Sequence, residues 1–144
     1  MGLRMLSALA AVALLPALAA ADPATDEAIT NTALAYAEAW FSGDAPRMAS
    51  VLHPEFLRRR IMTDPATGQQ WMLESDAPAM VEMTEREGGR DDAGPLDLRV
   101  TILDRVRDMA VVRVVSPLYV DHLQMVRWKG RWVVLAALWG PLDE

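Results

Sequence analysis

The strongest constraint in this chain lies near its end, in three consecutive runs rich in β-branched and aromatic residues. They are Met109-Ala-Val-Val-Arg-Val-Val, then Leu118-Tyr-Val-Asp-His-Leu-Gln-Met-Val-Arg, then Arg131-Trp-Val-Val-Leu-Ala-Ala-Leu-Trp. Ser116-Pro117 separates the first from the second, and Trp128-Lys129-Gly130 the second from the third. Such runs broken by turn residues read as an antiparallel meander. The last run is apolar at both alternating sets of positions: Val133, Leu135 and Ala137, and also Trp132, Val134, Ala136 and Leu138. A half-solvated strand would carry polar residues on one set. The expectation is a sheet covered on both faces, by helices on one side and by a second copy of the chain on the other.

What precedes the meander supplies those helices. Asp22-Pro23 with Thr25-Asp26-Glu27 is a helix start, having a capping side chain and acidic residues in the first turn. Ile29, Ala33, Tyr36 and Trp40 then recur at helical spacing until Ser42-Gly43. Asp44 can cap a short second helix, Ala45 to Leu52, with His53 at its end and Pro54 forbidding continuation. Phe56 to Met62 and Gln69 to Glu74 form a hairpin around Asp64-Pro-Ala-Thr-Gly68. Asp76 and Pro78 open a third helix that runs to about Arg86. Gly88 to Pro95 reads as a surface loop, expected to be mobile. Leu96 to Arg105 alternates as a strand, with Leu98, Val100 and Ile102 on one face and Arg99, Thr101 and Arg105 on the other. Helices segregated from an antiparallel sheet define an α+β architecture.

Length and composition bound the rest. A chain of 144 residues supports one domain, and 52 % hydrophobic residues exclude a disordered chain despite a formal charge of -6. Residues 1–21 have a cationic start, an apolar run from Met5 to Leu15 and small residues near Ala19 to Ala21. That is the layout of a secretory signal peptide, cleaved after Ala19 or Ala21, and its apolar run is too short for a membrane span. Residues 22–144 would then form a periplasmic or secreted domain with no membrane attachment. Cleavage removes Arg4 alone among charged residues, which leaves a formal charge of -7. An acidic domain whose only cationic run is Arg58-Arg59-Arg60 is not expected to bind nucleic acid. Two histidines and no cysteine give no metal-ligand spacing, and no Gly-rich phosphate loop is present. Neither a metal nor a cofactor is expected.

Several strings together resemble the nuclear-transport-factor-2-like (NTF2-like) superfamily, and within it the lumazine-binding branch related to the SnoaL-like proteins. They are Tyr36-Ala-Glu-Ala-Trp-Phe-Ser-Gly-Asp44, Leu52-His-Pro-Glu-Phe-Leu-Arg-Arg-Arg60, Asp121-His122-Leu123 and Gly130-Arg-Trp-Val-Val-Leu-Ala-Ala-Leu-Trp139. The resemblance implies a curved antiparallel sheet wrapped around the long N-terminal helix, the NTF2-like or cystatin-like cone. It also implies a conical pocket, with His53 at its mouth. Isomerases, dehydratases, cyclases and plain binding modules share this scaffold, so the resemblance leaves activity open. His122 stands where relatives commonly have Tyr, and Ala136 where they have Asn.

Six residues are candidates for the site: Tyr36, Trp40, His53, Arg60, Asp121 and Trp139. His53, near helical carbonyls, suits either acid–base work or capping of the helix end. Asp121, among Tyr119, Leu123 and Met125 on one strand face, is either a general base or half of an ion pair with Arg127, Arg113 or Arg60. His122 points away from Asp121, because alternate residues of a strand face opposite sides. Arg58 and Arg60 share a face, and either could fork onto an anionic or carbonyl ligand or pair with Asp121 or Glu55. Tyr36, Trp40 and Trp139 suit a wall for a flat ligand, or plain core. Trp71, with Met62 and Met72 nearby, suits a flexible rim. The leading expectation is a small-molecule binder, its pocket lying between the first helix and the sheet, with His53 and Arg60 orienting a small apolar or aromatic ligand. The alternatives are an isomerase, dehydratase or cyclase using His53 and Asp121, and a pocketless module binding another protein through its sheet.

Overall fold

The computed structural model describes residues 22–89 and 95–142. Residues 1–21, expected to be a signal peptide, and the middle of the Gly88–Pro95 loop, expected to be mobile, lie outside them. Three helices, α1 (Pro23–Ser42), α2 (Ala45–Val51) and α3 (Ala77–Glu87), pack on one six-stranded sheet. The strands are β1 (Leu52–Thr63), β2 (Gln70–Asp76), β3 (Arg99–Val106), β4 (Met109–Val115), β5 (Tyr119–Trp128) and β6 (Arg131–Pro141), in spatial order β2-β1-β6-β5-β4-β3. The expected meander is present as β4-β5-β6, and β3 extends it by pairing antiparallel to β4. One pairing departs from the antiparallel expectation: β1 runs parallel to β6, so the curved, open sheet is mixed.

The first helix begins and ends where its capping residues dictate. Asp22 accepts from the Ala24 N–H at 3.2 Å and from the Thr25 hydroxyl at 2.6 Å, with Pro23 in the first turn. Gly43, at φ 69°, closes the helix in the left-handed conformation that glycine reaches without strain. Ile29, Ala33, Tyr36, Ala37 and Ala39 are buried, and the alanines let the helix lie close on the sheet. The C-terminal end of α3 docks against that of α1. The Gly89 N–H donates to the Trp40 carbonyl at 2.9 Å, and a Cβ on Gly88 would meet that carbonyl at 2.7 Å and the Thr84 carbonyl at 2.4 Å. This close approach holds Trp40 over the inner face of the sheet.

The core joins the helices to that inner face through Ile29, Met48, Phe56, Met80, Val112, Leu123, Met125 and Val134, none more than 1 % exposed. Each such side chain contributes about 1.5–3 kcal/mol by leaving water. Two β-bulges correct the simple alternation. The register of β3 shifts between Ile102 and Asp104. As a result Arg105 turns to the helix side and its Nε sits 2.8 Å from Asp26 of α1, rather than on the face of Arg99 and Thr101. The register of β6 shifts between Val134 and Ala136. Ala137 thereby joins Trp132 and Val134 in the core, while Leu138 is 59 % exposed on the outer face. That outer face is uncovered among the described residues: Met109, Val111 and Leu138 are exposed on it.

Helix α2 also ends earlier than the periodicity suggests. Leu52 is already extended (φ -89°, ψ 142°), and His53 is the second residue of β1 rather than the end of a helix. The following proline excludes the helical conformation for His53, which forces this early exit. Among the described residues no helix is long and apolar enough to cross a membrane.

Candidate functional site

Three inward-facing strand positions meet α1 at one end of the sheet. Arg58 on β1 lies opposite Ala137 of β6, and Asp121 on β5 lies opposite Trp139, so the pleat points Arg58, Asp121 and Trp139 at the same helix. Tyr36 reaches down from α1. Its hydroxyl donates to Asp121 Oδ1 at 3.4 Å, and an Arg58 Nη lies 3.6 Å from the same oxygen. The guanidinium carbon of Arg58 stands 3.8 Å from the centre of the Trp139 ring and that of Arg60 5.0 Å. Tyr119 meets Trp139 edge-on at 5.6 Å, and Phe41 packs beside Tyr119 at 6.3 Å. The result is a buried ionic cluster stacked on an aromatic wall, a cation–π arrangement strengthened by exclusion of water.

Both polar contacts to Asp121 are long compared with the 2.7–2.9 Å of a strong charge-assisted bond. The consequence shows in its protonation. Burial pushes the Asp121 carboxyl above the ordinary carboxylate range, and the attraction of Arg58 only partly offsets it. Burial likewise pushes the Tyr36 phenol well above its ordinary range. Arg58 is 9 % exposed, and its Nε is buried without a hydrogen-bond partner among the described residues. An unsatisfied charged donor in a native interior calls for an explanation. It borders a void of about 20 Å³ lined by Tyr36, Trp40, Phe41, Arg58, Tyr119 and Asp121. That is room for about one water molecule. The open apolar pocket expected between α1 and the sheet is therefore closed down to this void, because Trp40, Phe41 and Tyr119 fill the cone.

His53 is elsewhere. It is 7 % exposed, its Nδ1 accepts from the Glu55 N–H at 3.1 Å, and its ring meets Trp128 edge-on at 4.6 Å. The capping of helical carbonyls expected of it does not occur, since the imidazole bonds forward along β1. His53 lines a different hollow from Asp121, so the structure does not bring the two together as an acid–base pair. His122 is exposed on the outer face, opposite Arg113 and Leu138. Tyr36 is buried, and Trp40 and Trp139 are half-buried, all three beside the cluster. Trp71 is 49 % exposed on the edge strand β2. Sequence reasoning weighed Arg58 and Arg60 together and nominated Arg60 as the anchor, and it did not propose Phe41 or Tyr119 for the site. The signal for Tyr119 was available, two residues from Asp121 on the same strand face. Among the described residues no group of three or more His, Asp or Glu side chains could hold a metal ion.

An α+β cone with a polar cluster enclosed between helix and sheet defines an NTF2-like scaffold. The chain belongs to the family described as "Putative lumazine-binding", whose match spans residues 24–140. Its fold is similar to that of an NTF2-like protein of unknown function from Silicibacter pomeroyi, at 16 % identity over 82 % of this chain and 96 % of that one, with a TM-score of 0.67. A ketosteroid isomerase-like protein from Erwinia carotovora atroseptica is similar at 13 % identity over 82 % and 96 %, TM-score 0.57. A cystatin-like fold protein from Burkholderia xenovorans is similar at 18 % identity over 85 % and 95 %, TM-score 0.59. At these identities the likeness is one of fold. Among curated proteins, none matches this chain.

Proposed function

We propose that this protein is an exported binder of a small, partly apolar molecule that presents a carbonyl or carboxylate to Arg58. The observation that carries the reading is the unpartnered Nε of a nine-tenths-buried arginine, stacked on Trp139 and bordering a void. Arg58 brings a positive charge whose contact to Asp121 is long and whose Nε is unpartnered, which favours an anionic or electron-rich ligand end. Trp40, Phe41 and Tyr119 are the side chains that move aside to admit its apolar part, and Tyr36 and Trp139 are its walls. The family description points to a flat heteroaromatic ring as one suitable shape. Export is supported by the sequence of residues 1–21 alone.

A thermal-shift screen tests this, with lumazine, riboflavin, aromatic carboxylates and fatty acids as probes. A ligand at a hundred times its Kd stabilises the native state by about 2.7 kcal/mol, which raises the midpoint by several degrees. Flat midpoints across all four classes overturn the reading. The assembly proposed is a homodimer through the outer sheet face, where Met109, Val111 and Leu138 are exposed. Light scattering gives twice the chain mass if so, and Leu138→Lys returns it to one. A wild-type mass of one chain removes the dimer.

A further inference from the structure

The far end of the same β5–β6 hairpin carries a second concavity of about 550 Å³, within the range of small-molecule sites. It lies between the α2–β1 junction, the first turn of α3 and the hairpin tip. His53, Pro54, Pro78, Trp128, Lys129 and Arg131 line it, along with smaller apolar side chains. Its chemistry differs from that of the chain as a whole. The chain carries a formal charge of -6, yet among the described residues no carboxylate lines this hollow and two cations stand on its rim. Trp128 is 41 % exposed and offers a ring surface, with Lys129 Nζ 5.7 Å from its centre. Arg131 donates to the Ser50 carbonyl, which fixes its stem at the rim while a guanidinium retains several donors. His53 is held in one orientation by its geometry. Nδ1 accepts from the Glu55 N–H, so the ring proton is on Nε2, and that side of the ring is free to donate.

We propose that this hollow is a second ligand site, taking a small planar aromatic carboxylate. The ring of the ligand lies against Trp128 and the two prolines. Its carboxylate meets Lys129 and Arg131, and His53 donates a hydrogen bond from Nε2. Stacking and charge pairing at a half-open aromatic surface are the forces available there. The site is separate from the Arg58 cluster and stands or falls independently of the function proposed for it.

The test uses 2-naphthoate as the probe and the five tryptophan indole N–H signals as reporters in a heteronuclear spectrum of the intact protein. On titration the Trp128 signal moves, and the affinity read from it is that of this hollow, separate from any movement of Trp139 and Trp40 that reports the Arg58 cluster. Trp128→Ala weakens the probe at least tenfold, and so does replacing it by uncharged 2-naphthamide. Lys129→Asn is the informative variant, because Lys129 sits at φ 50° before Gly130 at φ 81°. Asn occupies such a two-residue hairpin turn more comfortably than Lys. This substitution therefore leaves the unfolding midpoint unchanged or raised while weakening the probe three- to tenfold. Arg58→Met combined with Asp121→Leu leaves the affinity read at Trp128 unchanged. The proposal is overturned if millimolar probe leaves the Trp128 signal in place, if 2-naphthamide moves that signal as well as naphthoate does, or if the folded Arg58→Met/Asp121→Leu variant no longer shows the Trp128 shift.

Discussion

The two ends of the β5–β6 hairpin make opposite use of the same ingredients. Each has a tryptophan on the strands, a pair of cations and an imidazole, phenol or carboxylate close by. At the Asp121–Trp139 end these groups are sealed under α1, and Arg58 answers to an internal carboxylate. At the Trp128–Arg131 end they border open space, with no internal anion. The sealed end has α1 and the aromatic side chains of its last turn above it. The open end lies where α2 stops at Val51, one residue before His53 and Pro54 enter the strand. Covering a charged cluster converts it into a stability problem, since each buried ion needs a partner. Leaving it uncovered keeps its charges available to something that arrives from solution.

Removing one partner at the sealed end is the most severe way to probe this difference. Asp121→Ala leaves Arg58 buried without its anion and is expected to cost about 3–5 kcal/mol in urea unfolding. Arg58→Met combined with Asp121→Leu is expected to recover most of that loss. A cost under about 1 kcal/mol for the single change would show the cluster to be wet. Next is Gly88→Ala, expected to cost about 1–3 kcal/mol, because the added methyl meets two carbonyls that close α3 onto α1. If stability is untouched, that docking does not seal the end.

The pH dependence sharpens the comparison further. Asp121 is raised above its unfolded value, so between that value, about 3.9, and its folded one the native state binds the extra proton. Its contribution is therefore greatest at low pH and is lost as pH rises through that window. Asp121→Asn removes this dependence, and the difference between the two pH–stability curves measures it. Tyr36, also raised, adds a second loss of stability only above about pH 10. The smallest effect belongs to the open end: Lys129→Asn shifts stability by no more than about 0.5 kcal/mol. A larger loss would mean that its charge is engaged within the fold.

Much of this architecture was legible beforehand. The meander followed from its turn residues, and α1 from Asp22, Pro23 and Gly43. An arginine partner for Asp121 followed from the cost of a lone carboxylate among apolar neighbours. The registers of β3 and β6 were not legible. When both alternating sets of a strand are apolar, as from Trp132 to Leu138, a bulge leaves no mark in the pattern. The joint placement of His53, Arg60 and Tyr36 around one ligand also failed, because His53 and Tyr36 sit at opposite ends of the hairpin.

Residue types and their spacing determined the elements and the fold class, because capping, turn chemistry and strand propensity act over a few neighbours. Tertiary structure alone decided that Arg58 rather than Arg60 meets Asp121, that the cone is closed to a single void, and that His53 faces Trp128. Those facts depend on which strands become neighbours and where a bulge shifts the pleat. Such contacts join residues scores of positions apart, and no local pattern encodes them.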